Sequence, residues 1–153
     1  TFESAYGMLC MKLAFAFQDY QFLLDDSAIS DDDKGIFKRI LGRTASMDET
    51  KSCFLLLTRM LEIHFKKSAV VILDEYDVPI AKASSNGYYS QMLDVMRAMM
   101  STTLKDNTSL DFAVITGCLK IAKESIFTGT NNFVSDTILS PRLSESFGLH
   151  RQM

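Results

Sequence analysis

Apolar residues recur at three- and four-residue spacing from Glu3 to Leu24, through Tyr6, Leu9, Leu13, Ala16, Phe17, Tyr20 and Leu24. That period predicts an amphipathic helix. An acidic turn, Asp25-Asp26, separates it from a second helix whose two ends are both signalled. Ser30 is the expected N-cap, Asp31 to Asp33 fill the first turn, and Lys38, Arg39 and Arg43 gather beside Gly42. Charges so placed complement the helix dipole by about 0.3–1 kcal/mol each. A cation site in the aspartate run is the alternative, and a capped, solvated helix start is the preferred reading. A third helix is predicted from Met47 to Lys66, with Cys53, Leu57, Met60, Leu61, His64 and Phe65 along one stripe. On or beside that face, His64 reads as a hydrogen-bonded core histidine rather than a ligand.

The period then changes. Ala69 to Leu73 is an unbroken run of β-branched and apolar residues, followed at once by Asp74-Glu75-Tyr76-Asp77. This predicts a strand buried on both faces, with its carboxylates at the carboxyl edge of a sheet. Pro79 blocks continuation of a central strand, and Ser84-Ser85-Asn86-Gly87 reads as a polar loop. A further helix is expected from Tyr88 to Leu104, with Tyr89, Met92, Leu93, Met96, Met99 and Met100 on one side. Nine methionines raise the idea of an adaptable binding groove. At helical spacing, core packing is the better reading of these. After a turn at residues 105–109, Leu110 to Ile115 forms a second buried run that ends at Thr116-Gly117. Strand, helix, strand implies a parallel pair with a right-handed crossover, which brings Thr116 near Asp74. Cys118 to Asn132 reads as a turn of helix and a polar loop, and Val134 to Leu139 as a third short strand closed by Pro141.

Composition narrows the classes. At 153 residues the chain is one domain or part of one. With 47% hydrophobic and 23% charged residues it is ordinary for a globular protein. A net charge of −3 gives no electrostatic reason to expect nucleic acid on this segment. No apolar run approaches the roughly 20 residues that span a bilayer, and no signal peptide is evident. Cys10, Cys53 and Cys118 are odd in number, far apart and set in apolar patterns. They fit reduced core residues of a cytoplasmic protein better than a disulfide or metal framework.

The acidic edge is where chemistry concentrates, since ligands of open α/β folds bind at the carboxyl ends of strands. Asp74 suits a Mg²⁺ ion, held directly or through water, and Glu75 suits orienting or deprotonating an attacking water. A buried strand running into a solvated turn accounts for the same octapeptide equally well. A Mg²⁺-dependent phosphohydrolase built on Asp74 and Asp77 is a third reading. It fits less well, because aspartyl-phosphate enzymes more usually separate two aspartates by one residue.

Two blocks carry a more specific resemblance. They are Ile72-Leu73-Asp74-Glu75-Tyr76-Asp77-Val78-Pro79-Ile80 and the long stretch from Phe112-Ala113-Val114-Ile115-Thr116-Gly117 through Phe127-Thr128-Gly129-Thr130-Asn131-Asn132-Phe133. Together they resemble the predicted AAA-ATPase-like family, P-loop proteins of microbes that often carry a PD-(D/E)XK nuclease-like domain after the ATPase core. The resemblance implies an α/β fold: a partial P-loop NTPase core, parallel strands flanked by helices, with a helical N-terminal half. It implies ATP and Mg²⁺ as cofactors, with Asp74 and Glu75 as the Walker B pair and Thr116 as the polar sensor. Lys120 stands where relatives often have arginine and is the implied phosphate contact, while Arg142 is a candidate for sensing or finger chemistry. One departure stands out: no Gly-x-x-x-x-Gly-Lys-Ser/Thr occurs, and Gly35 to Gly42, the nearest look-alike, has the wrong spacing and is followed by Arg43. The chain is therefore expected to be a single partial domain, residues 1–153, whose phosphate loop lies upstream in a longer parent. The missing strand is expected between those ending near Ile115 and Ile138. A nuclease-like domain and self-assembly are the parent's expected partners. The competing function is a non-catalytic interaction or regulatory module on the same fold.

Overall fold

The computed structural model describes residues 1–117 and Val134. Its first half is helical. Helix α1 (Phe2–Gln18) is capped by Thr1, whose hydroxyl accepts from the Ser4 N–H. The periodic pattern continues past it, but as a 3₁₀ helix (Gln21–Asp25) that buries Leu23 rather than Leu24. Spacing of three fits both helix types, so the pattern could not mark the change. Helix α2 (Asp31–Leu41) starts as expected, with the Ser30 hydroxyl accepting from the Asp33 N–H. Asp33 is not solvated, however: it is buried and accepts from Arg59 at 3.1 Å.

The long helix expected from Met47 to Lys66 is two helices, α3 (Met47–Lys51) and α4 (Cys53–Phe65). Ser52 makes the break. Its hydroxyl donates back to the Asp48 carbonyl at 2.8 Å, a bond that competes with the helical ladder. The Lys51 carbonyl is taken by the Thr102 hydroxyl at 2.8 Å. His64 is correspondingly not a core residue. It lies near the surface, bonded to Asp26 at 2.8 Å and packed against the Phe22 and Phe65 rings.

Strand β1 (Ala69–Leu73) leads through the acidic turn into helix α5 (Val78–Ser85), which was not expected and whose last two residues enter the loop expected at Ser84–Gly87, and then α6 (Tyr89–Leu104) and strand β2 (Leu110–Ile115). Gly87, at φ +79°, makes the bend between the two helices, a conformation that glycine adopts without steric cost. The strands pair in parallel, Val71 opposite Ala113 and Leu73 opposite Ile115. This is a helix-rich α/β arrangement.

Beneath the sheet, the Phe17 and Phe37 rings pack at a tilt with centroids 4.9 Å apart, and Leu23, Met60, Met92, Met99 and Met100 are almost fully buried. The α6 methionines are thus core residues. Burial of the sheet on both faces, by contrast, is not found. Val70, Ile72, Phe112 and Val114 are 45, 72, 53 and 44% exposed, and register places Val70 opposite Phe112 and Ile72 opposite Val114 on one face. The helices α4 and α6 contact these strands, and side chains alternate across a strand, so the second face has no layer among the described residues. The expected strand near Val134 and the segment around Cys118 lie outside the described residues, apart from Val134 itself, which is exposed.

Candidate functional site

Beyond Leu73 the chain curls around the end of β2. The Thr116 N–H donates to the Leu73 carbonyl at 2.9 Å, and the Tyr76 N–H donates back to the Thr116 carbonyl at 3.2 Å. The ladder therefore extends one step past both strands and fixes Asp74 and Thr116 at one edge. There the Thr116 hydroxyl donates to Asp74 Oδ1. Two residues 42 positions apart in sequence are thus in direct contact, as the parallel pair predicted.

Glu75 follows, exposed, with φ +54°. The Val78 N–H donates to its carbonyl at 3.1 Å, closing a tight turn. Asp77, only 4% exposed, then starts α5, its carbonyl accepting from the Ile80 and Ala81 N–H groups. Pro79 sits in the first turn, where an N–H has no helical partner to lose. An aspartate followed by Val-Pro is a helix-start signal, and it is the cue that the reading of Pro79 only as a strand blocker missed. Burial pushes the Tyr76 hydroxyl pKa up, with the Asp77 charge adding to it.

A groove of about 370 Å³ opens beside this edge, between α1, α5 and α6. Asp74 and Glu75 stand on its wall with Lys12 and Lys82, and the α6 methionines form its apolar lining. Its size is within the range of small-molecule sites. Among the described residues no three His, Cys, Asp or Glu side chains converge as a metal cage. The oxygen donors present, a carboxylate fixed by a hydroxyl at a solvent-facing edge, instead fit Mg²⁺. That ion keeps several waters and needs one or two carboxylates. Asp74, Glu75 and Thr116 are brought together by the fold. Lys120 and Arg142 lie outside the described residues. The burial of Asp77 and the burial of Asp33 against Arg59 had no sequence signal, because both aspartates sit in charged runs that read as solvated.

A profile of the AAA-ATPase-like family, described as predicted AAA-ATPases, matches residues 12–127, about three quarters of the chain. An uncharacterized protein encoded in the vnfD 5′ region of Azotobacter chroococcum mcd 1 is 28% identical over 114 residues. That match covers 74% of this chain and 22% of the relative, so the chain spans about a fifth of that protein's length. No solved structure matches. No helix among the described residues is long and apolar enough to cross a membrane.

Proposed function

The chain belongs to the predicted AAA-ATPase-like family, and on that premise we propose that it carries the acidic half of a Mg-ATP-hydrolysing centre. The observation that carries this is the Asp74–Thr116 hydrogen bond at the carboxyl edge of a parallel pair, with Glu75 on the adjoining turn. Asp74 is assigned to anchoring Mg²⁺, directly or through water, and the Thr116 hydroxyl orients its carboxylate. Glu75 is solvent-facing and makes no ion pair among the described residues. Its carboxylate is assigned to orienting the attacking water and taking its proton. The bound ion would neutralise charge on the phosphates. Thr116, freed to bond either Asp74 or a phosphate oxygen, is the polar sensor of the assembly. Lys120 and Arg142 are assigned phosphate contacts. Free Cys10 and Cys53 fit a reducing compartment, and the cytoplasm is the proposed location.

The phosphate cradle and its lysine belong, on this reading, to a longer parent, and residues 1–153 alone do not turn over ATP. In that parent, Glu75→Gln keeps nucleotide binding and lowers turnover by about 10²–10⁴-fold, the usual worth of a general base. Asp74→Ala weakens Mg²⁺-dependent binding instead. Titration with MgATP and phosphate release separate the two. Equal and small effects of both changes would favour an interaction module that uses the fold without hydrolysis.

A further inference from the structure

We propose that Gly117, together with Tyr76 and Asp77, forms a steric clamp that sets the Thr116 hydroxyl against Asp74, making these three positioning residues for the acidic edge. The inference rests on the hydrolytic reading above and extends it to residues that reading does not use. A methyl group built on Gly117 falls 2.7 Å from Asp77 Oδ1, 2.7 Å from Tyr76 Cε1 and 3.0 Å from Asp77 Cγ. Real carbon atoms do not approach so closely, so a side chain at 117 must shift the Asp77 carboxylate and the Tyr76 ring. Gly117 has no positive φ among the conformations that favour glycine. Close approach, rather than backbone freedom, is what requires a glycine here.

The two neighbours differ in their room to yield, Asp77 being buried and Tyr76 half-buried. Asp77 is 4% exposed and its carbonyl is committed to the first turn of α5. Tyr76 is tied through its N–H to the Thr116 carbonyl at 3.2 Å. Pushing the Tyr76 ring or the Asp77 carboxylate outward therefore strains the bond that holds Thr116 in register. The same residue carries the Thr116 N–H bond to Leu73 and the hydroxyl bond to Asp74. The side-chain-free position at 117 thus transmits the placement of the α5 start directly to the Asp74–Thr116 pair. A displacement of about 1 Å at a reacting centre is enough to cost on the order of 10²-fold in rate.

The test uses the full-length protein. Gly117→Ala is expected to lower kcat for MgATP by about 10–10²-fold with KM changed less than about threefold, since binding contacts remain. Tyr76→Leu, which removes the ring wall without adding bulk, is expected to lower kcat in the same way. Ser46→Ala, which weakens a distant helix cap, is expected to lower the melting temperature with kcat unchanged, separating positioning from general destabilisation. Amide exchange supplies a readout independent of activity. In Gly117→Ala the Tyr76 and Thr116 amides exchange about tenfold faster while those of Val71 to Leu73 do not. Wild-type kcat in both site variants, or unchanged exchange at Tyr76 and Thr116, overturns the clamp. A wild-type protein without ATPase activity overturns the hydrolytic reading instead, and the exchange measurement still decides the clamp.

Discussion

Four residues other than glycine adopt left-handed backbone among the described residues: Arg43, Lys66, Glu75 and Asp106. Arg43, Lys66 and Asp106 stand at or just past the ends of α2, α4 and α6, where such a conformation commonly stops a helix. Glu75 alone follows a strand. Its backbone is held by the turn to Val78, and a side chain in this region costs about 1–2 kcal/mol, against about 0.5–1 for the extra chain entropy of glycine. The first cost exceeds the second. Glu75→Gly should therefore raise stability by about 0.5 kcal/mol while abolishing the proposed turnover. Lys66→Gly should give a similar gain with turnover intact, and denaturant unfolding beside phosphate release checks both. A second expectation concerns the thiols. Burial pushes the Cys53 pKa up to about 12, whereas Cys10 is half-buried. Iodoacetamide at pH 8 should modify Cys10 in the native protein and reach Cys53 only on unfolding, as peptide mapping would show.

Among elements, three carboxylates tie pieces of the helical half together. Glu49 joins α3 to Arg39 of α2, Asp94 joins α6 to Lys51 of α3, and Asp26 joins the 3₁₀ helix to His64 of α4. All three have pKa values held below the ordinary carboxylate range. Arg39 is the main cause for Glu49, Lys51 for Asp94, and the Ala28 N–H followed by His64 for Asp26. A depressed folded pKa means the unfolded chain takes up protons first as pH falls. The stability these ties contribute is therefore present above about pH 4–5 and lost below it. Urea midpoints should drop between pH 5 and pH 3, and Arg39→Ala with Lys51→Ala should flatten that drop. All three carboxylates are solvent-screened, so added salt should flatten it too. The helix junctions also show what the sequence concealed. Ser30 was legible as a cap because its partner N–H is three residues away. The break at Ser52 depends on Thr102, 51 positions from Lys51, and no local pattern reports such a partner. The strands were legible at Ala69–Leu73 and Leu110–Ile115 because both are short and predominantly apolar, β2 interrupted only by Asp111, and bounded by polar turns.

At the scale of the whole molecule, the sheet presents one apolar face. Val70, Ile72, Phe112 and Val114 form it, and an all-apolar strand such as β1 reads alike whether one or both faces are covered. That is why the exposed face was hidden in the sequence while the Asp74–Thr116 edge was not. Among the described residues this apolar surface lies beside strand edges that pair with nothing further, an arrangement that favours association. Residues 1–153 in isolation should form concentration-dependent oligomers by analytical ultracentrifugation. Ile72→Lys combined with Phe112→Lys should shift them towards monomer, and an unchanged distribution would show that the contact lies elsewhere.

The single crossover between β1 and β2 also bears on the order in which the chain acquires its chemistry. Asp74 and Thr116 are separated by 42 positions, and closing a loop of that length costs only about 3 kcal/mol beyond a constant term. Everything needed to close it lies between residues 69 and 117: two strands, two helices and the acidic turn. The pairing that closes the edge is therefore contained in one stretch of chain, whose helices α5 and α6 pack in turn on α1, α3 and α4. A ribosome that has released Gly117 has already supplied every residue of the acidic turn and its clamp.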